Sequence, residues 1–497
     1  MKKKVLIPHR GVIALDIINS LNSIGLETLL LHSPEDSLSL PVKLADKSYK
    51  FLSSKLEDSY LDMEAIIEKA VELQVDYIHP GYGFLSENPE FAKLCKDNDI
   101  LFIGPDFEIL KIVQDKNKLC EIAENLNIKT VKRSIIIKEQ AEIDSAIKGF
   151  NFPVIIKSNI GYGGKGIKVS NHVGDVSDKI INMLRHDSNR KHGIIIEEFL
   201  PFSHSVEIPF FRDIKGNILF LPEIEASIQR RFQKVFQESP SVNLIPELRK
   251  RMYSDSQKII ENINYSGFGY IEFLLDKTNE IIYFAEINPT FQINTLIPEV
   301  HEISNFIKKQ FAISKGELLH NVNGVRIVEP QYHVILASLM AENPYNDFVP
   351  SSGVITDFFH YSTIRNIFKT NLYHGAKISP LYDPYIGKIL TFSKKRENAL
   401  KDMKIFLDNI VIGGIQTNLT FLKHMLENKS LSLGNTIIDF INLKCDFSKR
   451  IKSEEDLSIA VALMSSVFHL ENRKKNYKSQ LEKMKQPGFF KRLINRF

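Results

Sequence analysis

The sequence predicts a chain of mixed α/β and α+β class, on three observations. Short apolar strands alternate with helical runs over the first hundred residues, which argues a parallel α/β domain. A glycine-rich segment, FPVIIKSNIGYGGKGIKV (152–169), reads as strand, loop, strand. The stretch GYIEFLLDKTNEIIYFAEINPTFQINT (269–295) sets two apolar runs around a polar DKTNE turn and reads as a β-hairpin.

Within the first region, KVLIP (4–8) is a buried strand and VIALDIINSLNSIG a helix closed by Gly25. ETLLLHS follows as a second strand. From Tyr60 to Val71, helical spacing puts Met63, Ile66, Ile67, Ala70 and Val71 on one face. VDYIHPGYGFLSEN is a strand running into a glycine-rich turn, and ILFIGP another strand. In such a domain the ligand edge lies in the loops after the strands, here HRG and PGYG.

Asp115 to Ile128 reads as a helix with Lys116 near its start. Gly161, Gly163, Gly164 and Gly166 leave backbone N–H groups free to close over phosphates, with Lys157 and Lys165 adding charge; a plain hairpin of the same composition is the alternative. GIIIEEFL (193–200) is an apolar strand that turns polar at Glu197, suited either to an adenine edge or to a sheet edge. IQRRFQKVFQES groups Gln229, Arg230, Arg231, Gln233 and Lys234, which a solvated loop would also do. On the hairpin, Glu272, Glu286 and Asn288 form a hard-oxygen set for Mg²⁺ and a polyphosphate, unless they are acids on an exposed sheet face. Residues 330–450 form a further α+β region.

Composition sets limits. At 497 residues, 43% hydrophobic and 25% charged, the chain has the makeup of an ordinary soluble protein with room for two to four domains. The net charge of +4 is too small to argue for nucleic acid, and it is uneven. Arg473 to Phe497 holds nine Lys/Arg and one acid. Three scattered cysteines, Cys95, Cys120 and Cys445, form no disulfide or zinc pattern and suit a reducing cytoplasm. The basic start is too short in apolar residues for a signal peptide, and no stretch is long enough to span a membrane. Leu457, Val461, Met464 and Phe468 mark an amphipathic helix. Behind it, FFKRLINRF fits docking on a partner or peripheral attachment to an anionic membrane, with a disordered basic tail as the alternative.

IPHRGVIAL, HPGYGFLSENPEFA, FIGP, DK (115–116), PVIIK…GGKG, EEFL, QRRFQKV, IEF, EIN and PLYDPYIGKIL, in this order and spacing, resemble biotin carboxylase over roughly nine-tenths of the chain. The resemblance implies an ATP-grasp fold with a Rossmann-like N-terminal domain (1–113) and an ATP-grasp domain (114–330) whose mobile lid spans about 130–200. A biotin carboxylase-type C-terminal domain (331–446) and a helical, basic extension (447–497) complete it. It implies an ATP-dependent carbon–nitrogen ligase. Such a subunit uses ATP, Mg²⁺ or Mn²⁺, and bicarbonate to carboxylate biotin held in trans on a carrier protein, alongside carboxyltransferase subunits.

By resemblance, Lys116 and Lys157 match lysines on the phosphates, and Gly163 and Gly164 the lid glycines. Glu197, Glu198, Phe199 and Leu200 match the adenine strand, with Glu198 where a lysine is usual. Glu272, Glu286 and Asn288 match the metal ligands. Glu207, Gln229, Gln233, Lys234 and Gln292 match further site residues. The other half departs. Thr290 stands for the bicarbonate arginine, Asn294 for the glutamate that takes bicarbonate's proton, and Ser338 for a second arginine. Ser205 and Phe232 replace two histidines, and Asp16, Asn19 and Ser23 replace charged residues that resemble dimer contacts. An amide cannot accept a proton near pH 7, and loss of a general base costs about 10²–10⁴ in rate. The alternatives are an ATP-grasp ligase with a different carboxylate substrate, or a non-catalytic ATP-binding paralogue acting as a regulatory or structural subunit. Lys485 in EKMKQP lacks the flanking residues of a biotinylation site.

Overall fold

The N-terminal sheet comprises β1 (Lys4–Ile7), β2 (Glu27–His32), β3 (Lys47–Lys50), β4 (Tyr77–Ile78) and β5 (Leu101–Phe102), all parallel, in the order β3-β2-β1-β4-β5. The structure is a computed structural model that describes residues 2–160, 166–302 and 305–444, together with Ser465. Strand order reverses between β1 and β4, which opens a crevice beyond their carboxyl ends. The HRG and PGYG loops meet there, with His9 Nε2 2.7 Å from the Tyr82 carbonyl oxygen. Helix α1 (Gly11–Asn22) is buried along most of its length, and Gly25 takes the left-handed turn after it at φ +84°. Helix α2 (Met63–Glu72) buries Ile66, Ile67 and Ala70. Val71 is 51% exposed, contrary to expectation, because it lies 100° around the helix from Ala70 and falls at the edge of the stripe.

The glycine-rich segment does form two antiparallel strands, β6 (Val154–Ser158) and β7 (Ile167–Ser170), and β8 (Ile194–Glu198) pairs on the other side of β6. Ile137, Val154, Ile156, Ile180, Ile194 and Ile196 give this sheet a core of its own. The glycine loop at 161–165, with Gly163 and Gly164, lies outside the described residues.

The principal sheet carries β9 (His204–Arg212), β10 (Ile218–Phe220), β11 (Ile224–Arg230), β12 (Gln233–Ser239), β13 (Gly267–Asp276), β14 (Ile281–Asn288), β15 (Val325–Ile327) and β16 (His333–Met340). Its main path is β14-β13-β9-β11-β12-β16, continued by the strands Tyr385–Ser393 and Asn366–Thr370. Strand β16, first of the expected third region, thus hydrogen-bonds to β12 and extends the same sheet. Residues up to Ile441 cluster as one compact unit. One apolar core joins Val5, Ile13 and Ile17 to Phe211, Phe268, Phe306 and Leu390. The expected helix at 457–468 and the basic tail lie outside the described residues. Among the described residues no helix is long and apolar enough to cross a membrane.

Candidate active site

The β13–β14 hairpin sets the site. Glu272 and Glu286 are direct cross-strand partners, and Glu207 on β9 is the direct partner of Glu272 on its other side. Three carboxylates therefore stand in one row across three strands. Asn288, two residues past Glu286, shares its face and donates from Nδ2 to Glu286 Oε1 at 3.1 Å. Lys116 opens the helix Lys116–Asn125, whose N-terminus is capped by Asp115, and reaches Glu286 Oε2 at 2.8 Å. The Lys116 ammonium holds the Glu286 carboxyl down at about 2. Burial lowers Lys116, but Glu286, with Glu87 and Glu197 behind it, outweighs that and keeps the ammonium above its ordinary value.

Lys234 comes from the β11–β12 hairpin, where Arg231 and Phe232 occupy a two-residue turn at φ +50° and +63°. Positive φ at both positions matches strand twist, yet Arg and Phe adopt it only under strain. The turn aims Lys234 at Glu207, with which it pairs, and at Glu272 Oε2, 3.6 Å away. Burial raises Glu207, Lys234 opposes this, and Glu272 adds to it; the carboxyl stays above its ordinary value. Ser205 donates to Glu272 Oε1 at 2.7 Å. On the lid sheet Lys157 pairs with Glu197 at 2.7 Å. Phe199 follows that strand, its N–H bonded to the Pro153 carbonyl, with Glu198 and Leu200 also half-buried at the strand's end. Gln229 faces Lys234 across the hairpin and donates to its own strand at Ala226. Gln292 is buried at the start of the short 3₁₀ turn Ile293–Thr295.

Glu272, Glu286 and Asn288 fit a divalent cation by donor chemistry. Among the described residues no three or more His, Cys, Asp or Glu side chains are grouped to hold an ion alone. Two carboxylates suffice for Mg²⁺ when phosphate oxygens and water complete the octahedron.

The substituted positions sit differently. Thr290, Asn294 and Ser338 are all buried. Asn294 donates from Nδ2 to Glu207 Oε2 at 3.0 Å, while its Oδ1 has no partner among the described residues. Thr290 donates to Glu87 Oε1 at 3.3 Å. Among the described residues Ser338 Oγ has no partner; Ser338 lines a small cavity with Gln233, Arg230 and Glu342. Arg230 closes that cavity by a two-oxygen bond to Glu342, both at 2.7 Å, with its guanidinium 4.1 Å above the Phe348 ring. Glu87 in HPGYGFLSEN, to which the sequence assigns no role, also belongs to the site. Burial pushes its carboxyl up to about 7, eased by Lys116 and aggravated by Glu286. Its only sequence signal was membership of that motif. Asp16 is buried and paired inside the chain, while Asn19 and Ser23 are exposed.

Fold and site together define an ATP-grasp protein with a biotin carboxylase-type arrangement of domains. Residues 1–110 match the biotin carboxylase N-terminal domain, 115–322 the carbamoyl-phosphate synthase L chain ATP-binding domain, and 337–443 the biotin carboxylase C-terminal domain. The chain is similar to biotin carboxylase 1 of Bacillus subtilis, 33% identical over 448 residues, which cover 89% of this chain and 98% of that one. It is 31% identical to the human mitochondrial propionyl-CoA carboxylase alpha chain over 94% of this chain and 64% of that one. Among solved structures, the biotin carboxylase domain of Hydrogenobacter thermophilus 2-oxoglutarate carboxylase, determined with MgADP and bicarbonate, matches at a TM-score of 0.83 and 29% identity, covering 89% of this chain and 97% of that one. The chain belongs to the biotin carboxylase family.

Proposed function

We propose that this chain is a biotin carboxylase-type subunit that uses MgATP and bicarbonate to carboxylate biotin on a separate carrier protein, working with carboxyltransferase subunits. The observation that carries the reading is the row Glu207, Glu272 and Glu286 with Lys116, Lys234 and Asn288 interleaved. Glu272, Glu286 and Asn288 would hold Mg²⁺, which would supply positive charge to the phosphates. Lys116 and Lys157 would hold the phosphates, Glu197 to Leu200 would border the adenine, and Lys234 would meet charge that develops as the γ-phosphoryl group moves to bicarbonate. Cys95 and Cys120 are buried, and burial pushes both thiols up, to about 12 and about 11. Unreactive thiols of this kind suit a reducing cytoplasm.

One observation favours a second reading. The Asn294–Glu207 hydrogen bond occupies the place of the proton-accepting glutamate with an amide. A substrate carboxylate is already ionised and needs no base to attack phosphorus, so an altered ligase would tolerate this. ADP release by the purified protein with Mg²⁺ separates the readings. Stimulation by bicarbonate and free biotin supports the first. An ATPase indifferent to both removes it, and a rise in Tm with ATP without turnover marks a binding-only subunit.

A further inference from the structure

One buried ammonium stands opposite one of the three changed positions and against the residues that follow the other two. Lys388 stands on the Tyr385–Ser393 strand directly opposite Ser338. Its Nζ is 5.5 Å from the ring centre of Phe291, the residue after Thr290, and 3.5 Å from Oγ1 of Thr295, the residue after Asn294. Its side chain is fully buried at 0% exposure. Asp16 on α1 accepts its charge at 2.7 Å, and also that of Lys369, 3.2 Å away on the neighbouring strand. Glu299 acts on the same cluster electrostatically, with an oxygen bonded to the Phe306 N–H at 2.8 Å. Burial holds the Lys388 ammonium below its ordinary value despite Asp16.

Two buried polar atoms at the changed positions have no partner among the described residues: the hydroxyl of Ser338, the cross-strand neighbour of Lys388, and Asn294 Oδ1. Buried polar groups are otherwise matched in folded proteins, so an unmatched hydroxyl opposite an ammonium is a mark of a ligand position. A hydroxyl can donate to an anion, and an ammonium adds the charge that side chains 290 and 338 no longer carry.

We propose that Lys388 and the Ser338 hydroxyl form the oxyanion subsite for the second substrate, a bicarbonate or a substrate carboxylate, with Asp16 as the positioning residue that holds the ammonium. This rests on reading that half of the site as the second-substrate side. Thr295, the last residue of the 3₁₀ turn Ile293–Thr295, lies against this ammonium.

The test uses the full chain saturated with MgADP and reads Tm against added bicarbonate and, separately, acetate. One or both should protect the wild type saturably. Lys388→Met should weaken that protection at least about tenfold, the scale of one charge-assisted hydrogen bond. Asp16→Asn, which releases the ammonium from its carboxylate, should strengthen it severalfold. The double variant Asp16→Asn/Lys388→Met avoids a lone buried carboxylate and should match Lys388→Met. Protection by MgADP alone should be unchanged in all three. Loss of anion protection in Asp16→Asn, or none in Lys388→Met, would mean a merely structural ion pair and overturn the subsite. Lys388-dependent protection by acetate but not bicarbonate keeps the subsite and removes the bicarbonate reading. No protection of the wild type by either anion removes the subsite, while the ADP-release assay still decides the reading.

Discussion

On the nucleotide side of the β13–β14 hairpin, charged side chains face opposite charges and stay partly open. Lys116 is 15% exposed and Glu286 30%. Beyond Asn288 the picture inverts: Thr290, Asn294 and Ser338 are 3%, 1% and 1% exposed and carry no charge. Both halves are built on the same sheet with the same packing. The difference therefore lies in side-chain choice at a few positions rather than in the scaffold. A fold can keep one substrate's electrostatics intact while the other's is rewritten, because charge pairs act over a few ångströms.

The sharpest way to break this contrast is Lys116→Met. It strips Glu286 of its ammonium and should cut ATP turnover by about 10²–10³, the usual cost of losing one oriented charge-stabilising donor. A smaller loss would mean that the nucleotide half is not wired through this pair.

Next in size is Asn294→Glu, which puts a second buried carboxylate against Glu207. Alone it should lower stability by about 3 kcal/mol, since no arginine is present to balance it. With Thr290→Arg and Ser338→Arg added, the triple variant should recover at least about 1 kcal/mol through coupling between neighbours. Denaturant melts of the single and triple variants read both. Additive losses would show that the surroundings no longer fit the charged set.

Glu87→Gln sharpens the contrast through pH. The wild-type carboxyl is raised from 4.5 to about 7 by burial. It binds its proton more tightly folded than unfolded, so its stabilising contribution is full below pH 4.5 and fades as pH rises to about 7. The full change is at most about 3 kcal/mol. His9 and His301, lowered to about 4 by burial, act in the opposite sense between about pH 4 and their ordinary 6.5. The wild-type-minus-variant difference in Tm across pH 4.5–7 isolates Glu87, and a flat difference would remove the assignment. The smallest effect belongs to Ser205→Ala, which deletes the bond to Glu272 Oε1. The Mg²⁺ concentration giving half-maximal ATP turnover should rise about tenfold.

Much of the scaffold was legible in the chain itself. KVLI, ETLLLH and the hairpin runs have strand periodicity and turn residues that local physics decides. HRG and PGYG fall after strands, so their meeting at the crevice follows from the order of elements. The hairpin itself was legible, but the register was not: a β-bulge between Glu272 and Phe273 shifts the pairing by one and sets Glu272 opposite Glu286. Long-range pairing was not legible. Nothing in YIGKIL says that Lys388 will find Asp16, since 372 positions separate them and the partner is chosen by tertiary packing. The helix α1 is buried on nearly every side, so its acid finds an internal cation. Glu87 was visible only as part of a motif, because its perturbation comes from neighbours on other elements.

The core that joins α1 to Phe306 and Leu390 has a consequence for the chain's birth. On a ribosome α1 emerges first, but the residues that cover it are made hundreds of positions later. At roughly 5–20 residues per second that delay is about 20–80 s. During it Ile13 and Ile17 are an uncovered apolar face on a nascent chain. Synthesis speed and chaperone capture should therefore govern the yield of this protein more than its final stability does.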